Sequence, residues 1–130
     1  MKIYASGEDY LEAILVLNLQ KGIVRSIDIA GHLEVSKASV SHAVALLRQG
    51  GFLTMDADHL LHLTDLGREV AEKIYERHCF FKRQLIAAGV DPELADKDAC
   101  RMEHAISEEA FQKLKQQICL QRESIEKTHR

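Results

Sequence analysis

Apolar residues recur along most of this chain at intervals of three and four, the spacing of one face of an α-helix. Tyr10, Leu11, Ile14, Leu15 and Leu17 form the first such run, opened by Ser6 and Asp9 and stopped near Gly22, which predicts a helix to about Gln20. Ser26 is expected to cap a short second helix, Ile27 to Leu33, with Ile27, Ile29, Ala30 and Leu33 as its apolar positions. Glu34 and Val35 turn the chain. Ser36 then opens a third helix to about Gln49, with Val40, Val44, Leu46 and Leu47 inward, and Gly50 and Gly51 end it. Two β-prone runs follow, Phe52 to Met55 and Leu60 to Thr64, around a polar tip of Asp56, Ala57, Asp58 and His59; this is the pattern of a hairpin. Helix, turn, helix and hairpin in that order predict a winged helix-turn-helix.

Beyond the hairpin the pattern is helical again. Thr64 and Asp65 start a long helix with Val70, Ala71, Ile74, Tyr75, Phe80, Phe81, Leu85 and Ile86 as apolar positions, ending near Gly89. Pro92, at a favoured first-helix position, opens a helix to about Ala105, and Ser107 opens a last one from Glu108 to about Leu120, striped by Phe111, Leu114 and Ile118. Residues 121–130 are charged and their pattern does not decide between helix and frayed end. The predicted fold is therefore mainly α: a winged helix-turn-helix DNA-binding domain with a small β-hairpin wing over residues 1–64, and an all-helical domain over residues 65–130. Three amphipathic helices are few to enclose a core alone. A homodimer is expected, which also suits the reading of paired DNA half-sites.

Composition narrows the address more than the activity. No apolar run approaches the roughly 18 residues of a membrane span, and the N-terminus lacks the pattern of a signal peptide, so a cytoplasmic protein with no membrane partner is expected. Cys79, Cys100 and Cys119 are odd in number and do not form a disulfide framework in such a protein. The formal charge of −3 is awkward for a partner made of phosphates. Residues 1–63 hold five Lys or Arg against seven Asp or Glu, a balance of −2, and the acidic wing tip predicts few wing contacts and a modest salt dependence.

Candidate chemistry concentrates in Cys100-x-x-Glu103-His104. On a helix these three positions share a face, where a thiolate, a carboxylate and an imidazole suit a divalent transition metal better than magnesium or calcium. A lone helical Cys is also commonly a small buried hydrophobe. Three donors leave a tetrahedral or octahedral ion incomplete. Asp9 and Glu12 share a face of the first helix, where acids in a first turn also simply complement the helix dipole. Ser36, Lys37, Ala38, Ser39, Ser41 and His42 occupy the start of the third helix, where recognition helices meet base edges.

Several spaced motifs resemble the metal-dependent repressors of the diphtheria-toxin-repressor and manganese-transport-repressor type: Glu8-Asp-Tyr-Leu-Glu12, Asp28-Ile-Ala30, Val35-Ser-x-x-Ser-Val40, Leu63-Thr-x-x-Gly67, Arg77-His78 and Cys100-x-x-Glu103-His104. The resemblance covers nearly all of residues 5–120. It implies a dimer that binds double-stranded operator DNA when loaded with Fe(II) or Mn(II), with Co, Ni or Zn able to substitute, and that represses metal-uptake genes. It implies metal ligands at Asp9, Glu12, His78, Cys100, Glu103 and His104. Five of these six match the manganese type; Cys100 stands where that type has Glu. Iron-type relatives carry Cys there but Met at the place of Asp9, so the set is a hybrid. An iron-type second site would use Glu at position 82 and His at 96, where this chain has Lys82 and Asp96. The resemblance further places Ser36, Ala38 and His42 nearest the bases, and Lys37, Ser39, Ser41, Arg25 and Arg48 toward phosphate. Larger relatives append an SH3-like domain, which this chain is expected to lack.

Two other function classes remain open to the sequence. One is a winged-helix regulator that ignores metal and senses a small ligand; the other is a metalloenzyme with an open coordination position. The second would need a nucleophile and base separate from the ligands, and none is evident. Neither an enzyme nor a small organic substrate is expected.

Overall fold

The computed structural model describes residues 5–128 in backbone and 6–121 in side chain. Its elements are α1 (Ala5–Lys21), α2 (Ser26–Leu33), α3 (Lys37–Gln49), β1 (Leu53–Met55), β2 (Leu61–Leu63), α4 (Asp65–Ala87), α5 (Pro92–Met102) and α6 (Glu108–Thr128). They form two compact units, one ending at Glu76 and the other beginning at Arg77. Among the described residues no helix is long and apolar enough to cross a membrane.

The first unit is a winged helix-turn-helix. Its core gathers Leu11, Ile14, Val24, Ile29, Val40, Val44, Leu47, Phe52, Leu53 and Leu61, so α1, α2, α3 and the wing share one apolar interior. The turn between α2 and α3 depends on Glu34 in the left-handed region, φ 56°, whose N–H donates to Ala30 O. Ser36 caps α3 as expected, its Oγ accepting from Ser39 N at 3.1 Å. Ser26 does not cap α2: it is the first helical residue, Arg25 holds the cap position, and the Asp28 carboxylate accepts from Arg25 N at 2.9 Å. Lys21 pairs with the same carboxylate and, with that backbone bond, holds Asp28 below its ordinary pKa. Leu46 and Ile27, expected inward, are 42% and 61% exposed. Val40, Val44 and Leu47 already fill the inward stripe of α3 at helical spacing, and Leu46 lies about 100° around from Leu47.

The wing is antiparallel, with Leu53 opposite Leu63 and Met55 opposite Leu61. At its tip Asp56 is a structural acid. Its carboxylate accepts from Asp58 N at 2.9 Å and Leu60 N at 3.0 Å and lies 2.9 Å from His62 Nε2, contacts that hold its pKa below the ordinary value. Thr64 then couples the wing to α4, donating to Gly51 O at 2.6 Å and accepting from Gly67 N at 3.1 Å. A Cβ on Gly67 would overlap the carbonyl oxygen of Phe52, which explains the glycine two residues into α4. The compact unit runs on to Glu76, because Val70, Ala71 and Tyr75 pack on its core.

The second unit is all helical. Phe80, Phe81, Ala99 and Phe111 form its core, with Phe80 edge-on to both other rings at 5.3 Å. Asp91 caps α5, its carboxylate accepting from Glu93 N at 3.1 Å. The helix ends at Met102 rather than near Ala105. Arg77 holds the turn that follows: its Nη1 donates to Glu103 O at 3.2 Å and Ile106 O at 2.7 Å, carbonyls left without a partner past the helix end. In α6 Phe111 is buried, whereas Leu114, expected on the same stripe, is 40% exposed. That helix runs on to Thr128, so the segment the sequence left open is helical as far as that residue.

Candidate metal centre and nucleic-acid interface

Within the second unit, His78 from α4 and Cys100 and Glu103 from the end of α5 each offer a ligand atom, all within 4.8 Å of one another. His78 Nδ1 lies 2.9 Å from Glu103 Oε2 and 3.6 Å from Cys100 Sγ. Glu103 is the buried charged residue of the described chain, with a side chain 0% exposed. Its Oε1 receives no hydrogen bond among the described residues, though His104 Nε2 stands 3.3 Å away. Removing a carboxylate from water costs several kcal/mol, and leaving one oxygen unbonded adds to that cost. A cation coordinated at Oε1 would repay it. Sulfur, oxygen and nitrogen donors together fit a first-row transition ion. The residues present therefore fit a metal.

Arg77 builds the turn that presents Glu103 and His104. Besides the two carbonyls, its Nη2 meets Glu108 Oε2 at 2.7 Å, and its guanidinium lies 5.5 Å from the centre of the Phe111 ring. Its role as a buttress carried no local signal in the sequence, because its partners lie 26 to 31 residues away.

Three acidic side chains, Cys100, Glu103 and Asp96, surround one ring. Cys100 foremost, then Glu103, raise the pKa of His78 to about 11, against burial, and Asp96 adds to the rise. Asp96 Oδ1 lies 2.9 Å from His78 Nε2 and 3.2 Å from Lys82 Nζ. Burial alone would raise the Asp96 carboxyl, but His78 and Lys82 outweigh it and hold it below its ordinary pKa. By the family resemblance both residues are departures from an iron-type site. Cys79 and Cys100 are partly exposed and Cys119 is exposed, and all three are free thiols.

In the first unit Asp9 and Glu12 lie on α1, both partly buried and one helical turn apart. Ser36, Lys37, Ala38, Ser39, Ser41 and His42 are all exposed at the start of α3, and Arg25 and Arg48 are exposed as well. Ser36 and Ser39 also bond through their hydroxyls at 2.9 Å, which stiffens the first turn. Arg48 leans over the wing, with Nη1 4.0 Å from Met55 Sδ.

Comparison with known proteins agrees with this architecture. The family described as "Iron dependent repressor, N-terminal DNA binding domain" matches residues 2–59, and "Iron dependent repressor, metal binding and dimerisation domain" matches residues 64–119. The chain is 36% identical over 104 residues to the transcriptional regulator MntR of Salmonella typhimurium, a match covering 80% of this chain and 66% of that protein. It is 35% identical over 109 residues to the HTH-type transcriptional regulator MntR of Shouchella clausii, covering 84% and 76% respectively. Among solved structures, the crystal structure of T. acidophilum IdeR superposes with a TM-score of 0.75 at 25% identity, over 91% of this chain and 55% of that one. The chain thus spans just under two thirds of the Salmonella relative and about half of the solved structure.

Proposed function

We propose, from the premise that this chain belongs to the iron-dependent repressor family, that it is a metal-activated repressor that binds operator DNA as a homodimer. The observation that carries this reading is the buried Glu103, whose unbonded Oε1 sits in a cluster with His78 and Cys100. In this reading Cys100, Glu103 and His104 offer sulfur, oxygen and nitrogen from the end of α5, and His78 offers Nδ1 from α4. The proposed set adds Asp9 and Glu12 of α1, and its six donors form one or two adjacent metal sites. A bound divalent cation supplies the positive charge that lets these acids and the thiolate share one region.

The donor set supports Fe(II) or Mn(II), with Co, Ni or Zn able to substitute: the thiolate favours softer, later ions and the carboxylates favour harder ones. Ligands on both sides of the chain make metal binding and operator binding reinforce each other by one common factor, typically about 5- to 150-fold. At the DNA, the family resemblance assigns Ser36, Ala38 and His42 to bases and Lys37, Ser39, Ser41, Arg25 and Arg48 to phosphate, and all eight are exposed. Exposed Leu94, Met102, Leu114 and Leu120 on the helical unit support dimerisation there.

Gel-shift titrations of the full chain under anaerobic conditions, with each metal and with chelator, test the reading. Operator binding should require metal and be lost in Glu103→Ala. Equal binding with chelator and with every metal would overturn the metal switch and leave a metal-independent winged-helix regulator.

A further inference from the structure

We propose that Asp96, anchored by Lys82, is the positioning residue that keeps a proton on Nε2 of His78 and so commits Nδ1 to the metal. This rests on the reading above that His78 is a ligand, and it goes beyond that reading in assigning a role to two residues outside the ligand set.

An imidazole that binds a metal through one nitrogen carries its remaining proton on the other, and the partner of that second nitrogen sets which is which. Here the two nitrogens of His78 have different partners. Nδ1 faces Glu103 Oε2 at 2.9 Å and Cys100 Sγ at 3.6 Å, both candidate donors, while Nε2 faces Asp96 Oδ1 at 2.9 Å. Asp96 and Cys100 are four apart on α5, one turn above each other, with Glu103 three further at the helix end. One stripe of α5 therefore clasps the ring from both edges.

Asp96 is itself half exposed and would be a loose orienter alone. Lys82, four residues after His78 on α4, places its ammonium 3.2 Å from the same carboxylate oxygen that meets Nε2. This contact also decides between two roles for Asp96. An oxygen already shared by an ammonium and an imidazole N–H is poorly placed to take a divalent ion, so Asp96 orients rather than ligates. With Nδ1 committed to a cation, the remaining ring proton would stay on Nε2, donated to Asp96 Oδ1.

The test uses the full-length protein with Zn(II) for nitrogen NMR of labelled histidine and with Co(II) for the thiolate charge-transfer band. The unaltered protein should show His78 metal-bound at Nδ1 and protonated at Nε2. Asp96→Ala should weaken Co(II) binding about 10- to 100-fold, with the metal stoichiometry and the Cys100 band retained. Asp96→Asn keeps an acceptor for Nε2–H and should restore most of the affinity. Metal bound at Nε2 in the unaltered protein, or unchanged affinity in Asp96→Ala, would overturn the proposal, as would loss of a metal equivalent in that variant, which would make Asp96 a ligand. Should Asp96→Ala fail to fold, the nitrogen pattern of the unaltered protein and the affinity of Asp96→Asn still decide. His78→Ala separates the two levels: unchanged Co(II) affinity there would remove the ligand reading itself, whereas lost affinity with an indifferent Asp96 would remove only the positioning role.

Discussion

The start of α3 and the end of α5 are both short polar stretches at helix ends, yet they solve opposite problems. Residues 36–39 at the start of α3 are all exposed, and their internal bonds include a cap and a hydroxyl pair. At the end of α5, Glu103 is fully buried and the turn beyond it is held by Arg77 from another helix. An exposed polar surface costs the fold almost nothing and waits for a partner that brings its own charge. A buried carboxylate costs several kcal/mol unless compensated; His78 meets one oxygen of Glu103, and it is the other, unbonded oxygen that suits a cation. The first region is thus cheap to alter for folding and the second is not.

The sharpest way to break this contrast is Glu103→Ala. It should cost more metal affinity than the roughly 10- to 100-fold typical of outer partners, and isothermal titration with Co(II) would show it; a smaller loss would place the centre elsewhere. Gly67→Ala serves as a scaffold control remote from α3's exposed face. With a Cβ driven against Phe52 O, it should destabilise the first unit by about 1–3 kcal/mol in urea unfolding.

Acidity probes the buried region alone. His78 is raised to about 11, so in the metal-free chain its paired, protonated form contributes stability that is fully present below pH 6.5 and lost as pH rises through about 11. A cation must displace that proton, and metal affinity should therefore climb with pH, by about tenfold per unit for each proton released. Titrations at pH 6, 7 and 8 would read the slope; a flat profile would contradict proton displacement.

Effects at the exposed region should be smaller and of another kind. Ser36→Ala removes the cap to Ser39 N and should cost about 1 kcal/mol of stability, measurable by denaturant midpoint, with a further loss of operator affinity if the hydroxyl also meets a base. Lys37→Ala should leave stability unchanged, weaken binding alike for all sequences and lower the salt slope by about 1. A change of sequence preference instead would move Lys37 from phosphate to base.

Much of the fold was legible because it is written in local patterns. Val40, Val44 and Leu47 recur at helical spacing, Ser36 opens α3, and Leu53 and Leu61 alternate into the core of a hairpin. The misreadings were equally local in appearance and tertiary in cause. Ser26 is a good cap residue by type, but Asp28 answers the N–H of Arg25 instead. The helix after Pro92 has no internal stop before Ala105, yet it ends at Met102, where Arg77 from another helix holds the following turn.

For the candidate site, the order of residues determined which chemical groups were available: three donors at helical spacing after position 100, a histidine at 78, and acids at 9 and 12. Tertiary structure alone decided how the second unit uses them. His78 meets Asp96 and Glu103 across 18 and 25 residues, and Lys82 and Asp96, which looked like losses from a metal site, form the support of the ring. Periodicity records which face of a helix is apolar because burial acts on every turn. It holds no record of which nitrogen of one imidazole faces which carboxylate, since that is set by the packing of helices far apart in the chain.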